Sequence, residues 1–280
     1  MEQRWTTVIK AKTGYLDINI KELMEYRDLI WLFVKRNYMT RYKQTILGPL
    51  WLILNPFITV MLYSLVFGKI AGLSTDGSPA LLFYLASNSI WSYFALCLSQ
   101  TANTFSLNAA VFGKVYFPRL TVPISTVITG LLDLGIQVIM LVIGLLACRF
   151  AGTDVGGGYF VLLAPMAAVQ IALLALGCGV IVSSLTTKYR DLAVVVTFGV
   201  QLWMYASPVV YSISQIPEKY QSVYMFNPVA PIIAVWRYAF LGTGEIPWGM
   251  WGVSWITTIL ILAIGIMLFS KVEKTFMDTI

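Results

Sequence analysis

Histidine is absent from this 280-residue chain, and charged residues make up only 11% of it. Without histidine, the chain lacks the usual proton shuttle and the commonest metal ligand. Soluble domains carry about 25% charged residues, so the low charge argues against a soluble globular fold. The three cysteines, Cys97, Cys148 and Cys178, are scattered through or at the ends of apolar stretches. This scatter favours a role in packing over a disulfide framework.

The chain also lacks a phosphate-binding loop. Gly-Lys pairs occur only at 68–69 and 113–114, and the position where a Walker A motif needs its first glycine is Tyr63 or Asn108. No nucleophile–base group or pair of catalytic carboxylates is visible in the sequence. We therefore expect this chain to be no enzyme and to hold no cofactor or metal of its own. If a nucleotide powers it, another protein supplies the ATPase.

Long uncharged stretches dominate the sequence after residue 45. They cover residues 46–68, 80–113, 120–148, 155–187, 192–217 and 246–270, with Asp133 as the one charge inside them. A helix needs about 20 apolar residues to cross the hydrocarbon core of a bilayer. The stretches therefore predict six transmembrane helices in a domain spanning residues 46–270. The hydrophobic content of 58% and the mean hydropathy of +0.77 agree with a membrane protein.

The distribution of lysine and arginine predicts the orientation of these helices. With six crossings, 15 of the 19 basic residues fall on the side of the two termini, nine of them within the first 45 residues. The positive-inside rule then makes residues 1–45 and 271–280 cytoplasmic, together with the loops near residues 114 and 190. Charge of this kind beside anionic lipid accounts for the net +6, so no nucleic-acid partner is expected.

Residues 20–43 are expected to form an amphipathic helix lying on the cytoplasmic membrane surface. Lysine, arginine and acidic residues share one side of this helix, and a Gly48-Pro49 turn follows it. The alternative is a poorly ordered charged tail. The apolar side is made of Ile20, Leu23, Met24, Trp31, Val34, Tyr38 and Tyr42.

The external segment of about residues 213–247 is too short and too broken to cross the membrane. Pro228 and Pro231 interrupt its uncharged part. We expect two short re-entrant helices around Asn227-Pro228, packed against protein, with an ordinary external loop as the alternative. The predicted fold class is thus an all-α membrane protein. It has six transmembrane helices, an N-terminal amphipathic interfacial helix and short external re-entrant helices.

Polar residues recur every four positions within three of the predicted spans, which places them on one helical face. Such faces contact either neighbouring helices or a water-filled path. For Asp133, pairing with a hydroxyl or amide group is the alternative to direct contact with a substrate. The three sets are Trp51, Asn55, Thr59 and Tyr63; Ser125, Thr129, Asp133 and Gln137; and Thr197, Gln201 and Tyr205.

Several motifs, in order along nearly the whole chain, resemble those of the type-2 ABC transporter permeases of the polysaccharide export branch. The opening pair is ELMEYRDLIWLFVKRN (22–37) and RYKQTILGPLWLILNP (41–56), and the cytoplasmic pair is KVYFPRLTVP (114–123) and KYRD (188–191). The later motifs are SPVVYS (207–212), FNPVAPIIAVWRYAFLG (226–242) and VEKTFMDTI (272–280). O-antigen export permeases are the most similar branch, with capsule and teichoic acid permeases as near alternatives.

The resemblance implies a homodimer in the bacterial inner membrane, with each subunit bound to a cytoplasmic ABC ATPase that holds ATP and Mg. An undecaprenyl-linked polysaccharide would pass between the subunits. An ion-driven secondary transporter is a weaker alternative, since no inverted repeat is detected and only one intramembrane acid is clear. A membrane enzyme acting on lipid-linked sugar would need catalytic groups that the sequence does not show.

The resemblance also assigns two groups of candidate residues. Residues expected to meet the ATPase, or to lie at the membrane interface, are Arg36, Arg41, Tyr42, Lys43, Lys114, Arg119, Tyr189, Arg190 and Asp191. Sugars present flat C–H faces that aromatic rings hold weakly, so aromatic and polar side chains suit a path for a long glycan. Candidates for the path are Trp51, Asn55, Thr59, Tyr63, Trp91, Asp133, Gln201, Trp203 and Tyr205.

Overall fold

The protein is described by a computed structural model that covers residues 20–43, 46–153, 155–189, 191–217, 219–220, 224 and 226–275. Within these ranges the regular elements are helices, as expected for an all-α membrane protein. They are α1 (Ile20–Glu25), α2 (Arg27–Tyr42), α3 (Trp51–Tyr63), α4 (Ala80–Ala102), α5 (Thr104–Phe112), α6 (Thr121–Phe150), α7 (Leu163–Thr186), α8 (Leu192–Tyr205), α9 (Val229–Leu241) and α10 (Trp248–Thr275). Residues 1–19, 44 and 45 of the predicted segment 1–45 and half of the predicted tail 271–280 lie outside the described residues.

Five helical segments of the described residues are long and apolar enough to cross a membrane. They are Gly48–Ile70, Ala80–Ala102, Thr121–Phe150, Gly158–Thr186 and Trp248–Glu273. The first combines a short 3-10 turn, α3 and a π-helical end at Ser64–Ile70. These segments correspond to five of the six stretches expected from the sequence.

The remaining predicted stretch, residues 192–217, is α-helical only in its first part and has a short 3-10 turn at Ile213–Gln215 near its end. Its helix α8 has 14 residues, which gives about 21 Å at 1.5 Å per residue, against a hydrocarbon core of about 30 Å. After Tyr205 the chain turns, and residues 207–210 are buried without helical structure. Pro208 disfavours a helical conformation at the residue before it, which ends the helix early. The absence of charge alone overestimated the length of this helix.

The protein core is centred on α4. The membrane-crossing part of α4 is 78% buried, whereas that of the first span is 11% buried. The mean hydropathy of α4 is nevertheless lower, at 1.4 against 2.0 for the first span. A helix surrounded by protein needs less apolar surface than one surrounded by lipid, because its polar groups find partners on neighbouring helices. The outward face of α3 is consequently left to contact lipid or another subunit.

Two glycines bring α7 and α10 close together. A Cβ atom on Gly177 would lie 2.9 Å from the backbone Cα and N of Leu262, and one on Gly265 would lie 2.7 Å from the backbone oxygen of Gly177. Small residues allow helices in membranes to pack backbone against backbone. Gly177 and Gly265 therefore serve the close packing of α7 against α10.

Replacing Gly177 with alanine is expected to lower the free energy of unfolding by about 1–3 kcal/mol, because the clash is with backbone that cannot rotate away. Thermal unfolding of the purified chain in detergent measures the effect. Gly199→Ala is the matched control, since a Cβ there meets nothing within 4 Å. Equal melting temperatures for the two variants would contradict the prediction.

The predicted surface helix over residues 20–43 is two helices that break at Tyr26. The buried side of α2 contains Phe33 and Val34, whereas Trp31, expected on the apolar face, is 64% exposed. The ring of Phe33 packs against Phe117, 5.6 Å away just before α6. Tertiary packing on α6, rather than helical periodicity alone, therefore determines which side of α2 is buried.

Helix α9 follows Pro228, where one of two short external helices was expected. Twelve of its 13 residues are buried, and it ends at Gly242 in the left-handed conformation (φ +69°) that glycine favours. It packs against α4, α7 and α10. The second expected helix falls in a segment of which residues 218, 221–223 and 225 lie outside the described residues.

Candidate functional site

An ion pair joins the end of α2 to the middle of α6. Nη1 of Arg41 lies 2.5 Å from Oδ2 of Asp133, and the two side chains are 24% and 12% exposed. Asp133 is 12 residues into α6, about 18 Å along the helix axis. From the sequence, Asp133 was expected to pair with a hydroxyl or amide group or to contact a substrate. The structure pairs it instead with an arginine expected at the interface.

A cavity of about 440 Å³ with polar groups among largely apolar walls opens beside this ion pair, between α2, α3, α4 and α6. Five of the candidate interfacial and path residues lie together in its wall: Arg41, Trp51, Asn55, Thr59 and Asp133. Other lining residues include Asn88, Ser92, Tyr93 and Gln137. The first-span stripe and the acid of the third span thus border one space.

Hydrogen bonds fix several of the polar groups that line the cavity. The amide of Gln137 and the hydroxyl of Ser92 bond to each other at 3.2–3.3 Å, and the hydroxyl of Tyr93 donates to the carbonyl of Val127 at 3.2 Å. Asn88 is different. It is 6% exposed, and among the described residues its side-chain amide has no hydrogen-bond partner. No pattern in the sequence identifies Asn88, because its neighbours on α4 are polar on several faces.

Tyr63 of the first polar set contacts α8, the helix that carries the set Thr197, Gln201 and Tyr205. The hydroxyl of Tyr63 at the end of α3 lies 3.3 Å from Sδ of Met204 on α8. Tyr205 is 57% exposed and Gln201 is also exposed. Their place in a path stays a prediction.

Two aromatic residues that were predicted to line the path, Trp91 and Trp203, pack in or against the protein core. The indole of Trp203 packs on Phe94 at 5.2 Å and donates to Oδ1 of Asn227. Trp91 is 4% exposed and also packs on Phe94, at 5.5 Å. Within this chain both rings have packing roles, and a role in the path stays a prediction for each.

Two side chains that sequence reasoning did not single out hold the turn after α8. Nδ2 of Asn227 donates to the carbonyl of Ala206 and to Ser207. Arg237 is 3% exposed, and its guanidinium donates to the carbonyls of Pro208 and Tyr211 while lying 4.3 Å from the ring of Phe83. A lone arginine in an apolar stretch could have identified Arg237, but the segment 213–247 that contains it was predicted to lie on the external surface.

The residues expected to meet a cytoplasmic partner are mostly exposed. Arg36, Lys43, Lys114, Tyr189 and Asp191 have exposed side chains. Arg190 and the side chain of Tyr42 lie outside what the structure describes.

Arg119, like Arg41, is an exception, because it is bonded to the end of α10. Its guanidinium donates to the backbone carbonyl of Glu273 at 2.8 Å, and its backbone N–H donates to that side chain. Burial lowers the pKa of the Arg119 guanidinium, while the negative charge of Glu273 opposes this shift. The contact links the loop before α6 to the last helix.

Apolar helices of membrane-crossing length around a cavity with polar groups define a multi-pass membrane protein of the transport class. Residues 28–241 match the family model described as ABC-2 type transporter, and the chain belongs to this family.

Several named proteins are similar in sequence to this chain over most of its length. Two O-antigen export system permease proteins RfbA of Klebsiella pneumoniae are 26% and 28% identical, over 90% of this chain and 94% of their own length. One of the same name from Myxococcus xanthus is 26% identical over 79% of this chain and 83% of its own. The inner membrane transport permease YadH of Escherichia coli K12 is 24% identical over 86% of this chain and 90% of its own length.

Proposed function

We propose that this chain is the membrane permease subunit of an ATP-driven exporter that moves lipid-linked polysaccharide, of the O-antigen type, across the bacterial inner membrane. The observation that carries the proposal is the similarity, over 90% of the chain, to permeases named for O-antigen export. The cavity lined by amides, hydroxyls and an indole supports a hydroxyl-rich substrate. The undecaprenyl linkage follows from the resemblance of the motifs to that branch of the family.

The permease works as a homodimer in this proposal, with one cytoplasmic ATPase on each subunit to bind ATP and Mg. The poorly buried face of the first span supports a contact with a second subunit. The excess of lysine and arginine in the terminal segments and in the loops near residues 114 and 190 supports a cytoplasmic location for them. The exposed Lys114, Tyr189 and Asp191 then lie on the side where the ATPase docks.

Deletion and complementation in the bacterium of origin test the proposal. Loss of the gene should remove the glycan from the cell surface and leave lipid-linked glycan on the cytoplasmic side, and the intact gene should restore export. The purified chain alone should hydrolyse no ATP, whereas a complex with its ATPase should. An unchanged surface glycan in the deletion strain would overturn the proposal.

Single cysteines test where water and glycan pass. In a background without the three native cysteines, cysteine at Tyr63 or Tyr205 should react with a membrane-impermeant thiol reagent. Trapping the ATPase with nucleotide should change the reaction, because the path changes shape during transport.

Leu62 and Val195 are the control sites for this labelling. They are 55% and 60% exposed, against 57% for Tyr205, so a difference between Tyr205 and the controls reflects contact with water rather than burial in the protein. Tyr63 is half-buried, so stronger labelling there than at the controls also indicates contact with water. Equal and low labelling at all four sites would mean that the two stripes are packing faces.

A further inference from the structure

We propose that the cavity beside Arg41 and Asp133 is a binding site within each subunit for one neutral sugar unit of the glycan. Asn88 is its central hydrogen-bonding group and Trp51 its stacking surface. The proposal rests on the proposed export function and names the part of the substrate that this site takes.

Asn88 carries the argument because the residue is only 6% exposed, borders the cavity and has no hydrogen-bond partner in the described part of the chain. Its amide therefore depends on water or a ligand in the cavity for its hydrogen bonds, since an amide that bonds to neither costs free energy. Other buried amides here are satisfied: Gln170, for example, donates to Ser254 at 2.9 Å and accepts from Trp251 at 2.6 Å. Asn88 instead borders the cavity. A ligand that binds and leaves during transport explains why this amide has no partner within the described part of the chain.

The remaining wall has the groups that a pyranose ring needs. Trp51 is 39% exposed and borders the cavity, where its flat face can pack on the C–H face of a sugar. Asn55, Thr59 and Gln137 add amide and hydroxyl groups around it. Small-molecule sites typically measure about 300–1,000 Å³ and combine apolar walls with a few polar groups. The 440 Å³ here lies in the lower part of that range.

The charges of the cavity favour a neutral occupant over the diphosphate of the lipid linkage. Arg41 and Asp133 are the charged residues that border it, and they neutralise each other at 2.5 Å. A diphosphate would have to displace Asp133 from Arg41 and would lie against a carboxylate. Sugar hydroxyls can both donate and accept, so they can bond to the pair without separating it.

Saturation-transfer NMR on the purified full-length chain in nanodiscs tests the site. The probes are the methyl glycosides of glucose, galactose and mannose, with inorganic pyrophosphate as competitor. We expect transfer to the sugar C–H protons that an equal concentration of pyrophosphate does not reduce. Asn88→Leu and Trp51→Leu should each weaken binding roughly fivefold, which corresponds to about 1 kcal/mol.

Asn108→Leu is the matched control for Asn88→Leu, because the Asn108 amide bonds to the carbonyl of Thr104 at 2.9 Å, away from the cavity. This control should bind the glycosides as the wild type does. The melting temperature of Asn88→Leu should equal or exceed that of the wild type, since no partner in the chain is lost. Absence of transfer to any of the glycosides, equal binding by Asn88→Leu, displacement by pyrophosphate, or a lower melting temperature would overturn the proposal.

Export by the same variants separates this proposal from the proposed function. If the wild-type gene restores surface glycan and Asn88→Leu restores it equally well, the sugar site is wrong and the export function stands. If the wild-type gene restores nothing, the export function itself fails.

Discussion

Replacing Asp133 with leucine while Arg41 remains is expected to lower the free energy of unfolding by about 3 kcal/mol. Removing one partner of a buried ion pair leaves an uncompensated charge, at a typical cost of about 3–5 kcal/mol, and the exposure of 24% and 12% places this pair near the lower value. The double replacement Arg41→Leu with Asp133→Leu should recover most of the loss, since it removes both charges. Unfolding of the purified chain in mixed detergent micelles measures each variant.

A second ion pair of α2 is the control for this cycle. Arg27 and Asp28 lie 3.8 Å apart with side chains 78% and 94% exposed. Such surface pairs contribute about 0–1 kcal/mol, so Asp28→Leu should change stability little. A double variant of Arg41 and Asp133 that is as unstable as the sum of its single variants would show that the two charges are not coupled.

Replacing Arg237 with methionine is expected to lower the free energy of unfolding by about 3 kcal/mol, because charge-assisted hydrogen bonds of about 1.5–3 kcal/mol each are lost. The carbonyls of Pro208 and Tyr211 would lose their donor inside the protein, and the ring of Phe83 would lose the guanidinium above it. Arg237→Lys should restore little, because an ammonium group has neither the planar face nor the spread of donors. Thermal unfolding monitored by size-exclusion chromatography measures both variants.

Arg149 offers the matched control for Arg237. It is exposed in the last turn of α6, so Arg149→Met should leave the melting temperature nearly unchanged. A full recovery of stability by Arg237→Lys would mean that the charge alone matters and that the geometry of the guanidinium does not.

Helix existence was predictable from sequence here, but helix length was not in every case. Stretches without charge predicted the five long spans, because burial in lipid demands apolar side chains over a known length. The stretch 192–217 met the same criterion, yet its α-helix ends at Tyr205 and only a short 3-10 turn follows. Its backbone groups are satisfied by Asn227 and Arg237, which lie some 20–30 residues further along the chain. The composition of a stretch does not indicate partners that lie so far away in the sequence.

The candidate site could also be predicted only in part, because some of its contacts depend on distant parts of the chain. Spacing of four identified the face of α3 with Trp51, Asn55 and Thr59, and the rarity of charge within spans identified Asp133. Periodicity does not state which helix lies opposite a polar face, so the pairing with Arg41 was not foreseen. Asn88 was missed because its significance lies in the lack of a bond, which only the assembled structure reveals.

The hydrogen bonds of Arg237 also set an order of events during synthesis. Pro208 and Tyr211 leave the ribosome 29 and 26 residues before the arginine that binds their carbonyls. At about 5–20 residues per second, the interval is roughly one to six seconds. During that time the turn after α8 has none of its guanidinium bonds, and an unsatisfied backbone is not stable in hydrocarbon. Native folding of this turn therefore follows the synthesis of α9, although α8 itself is made earlier.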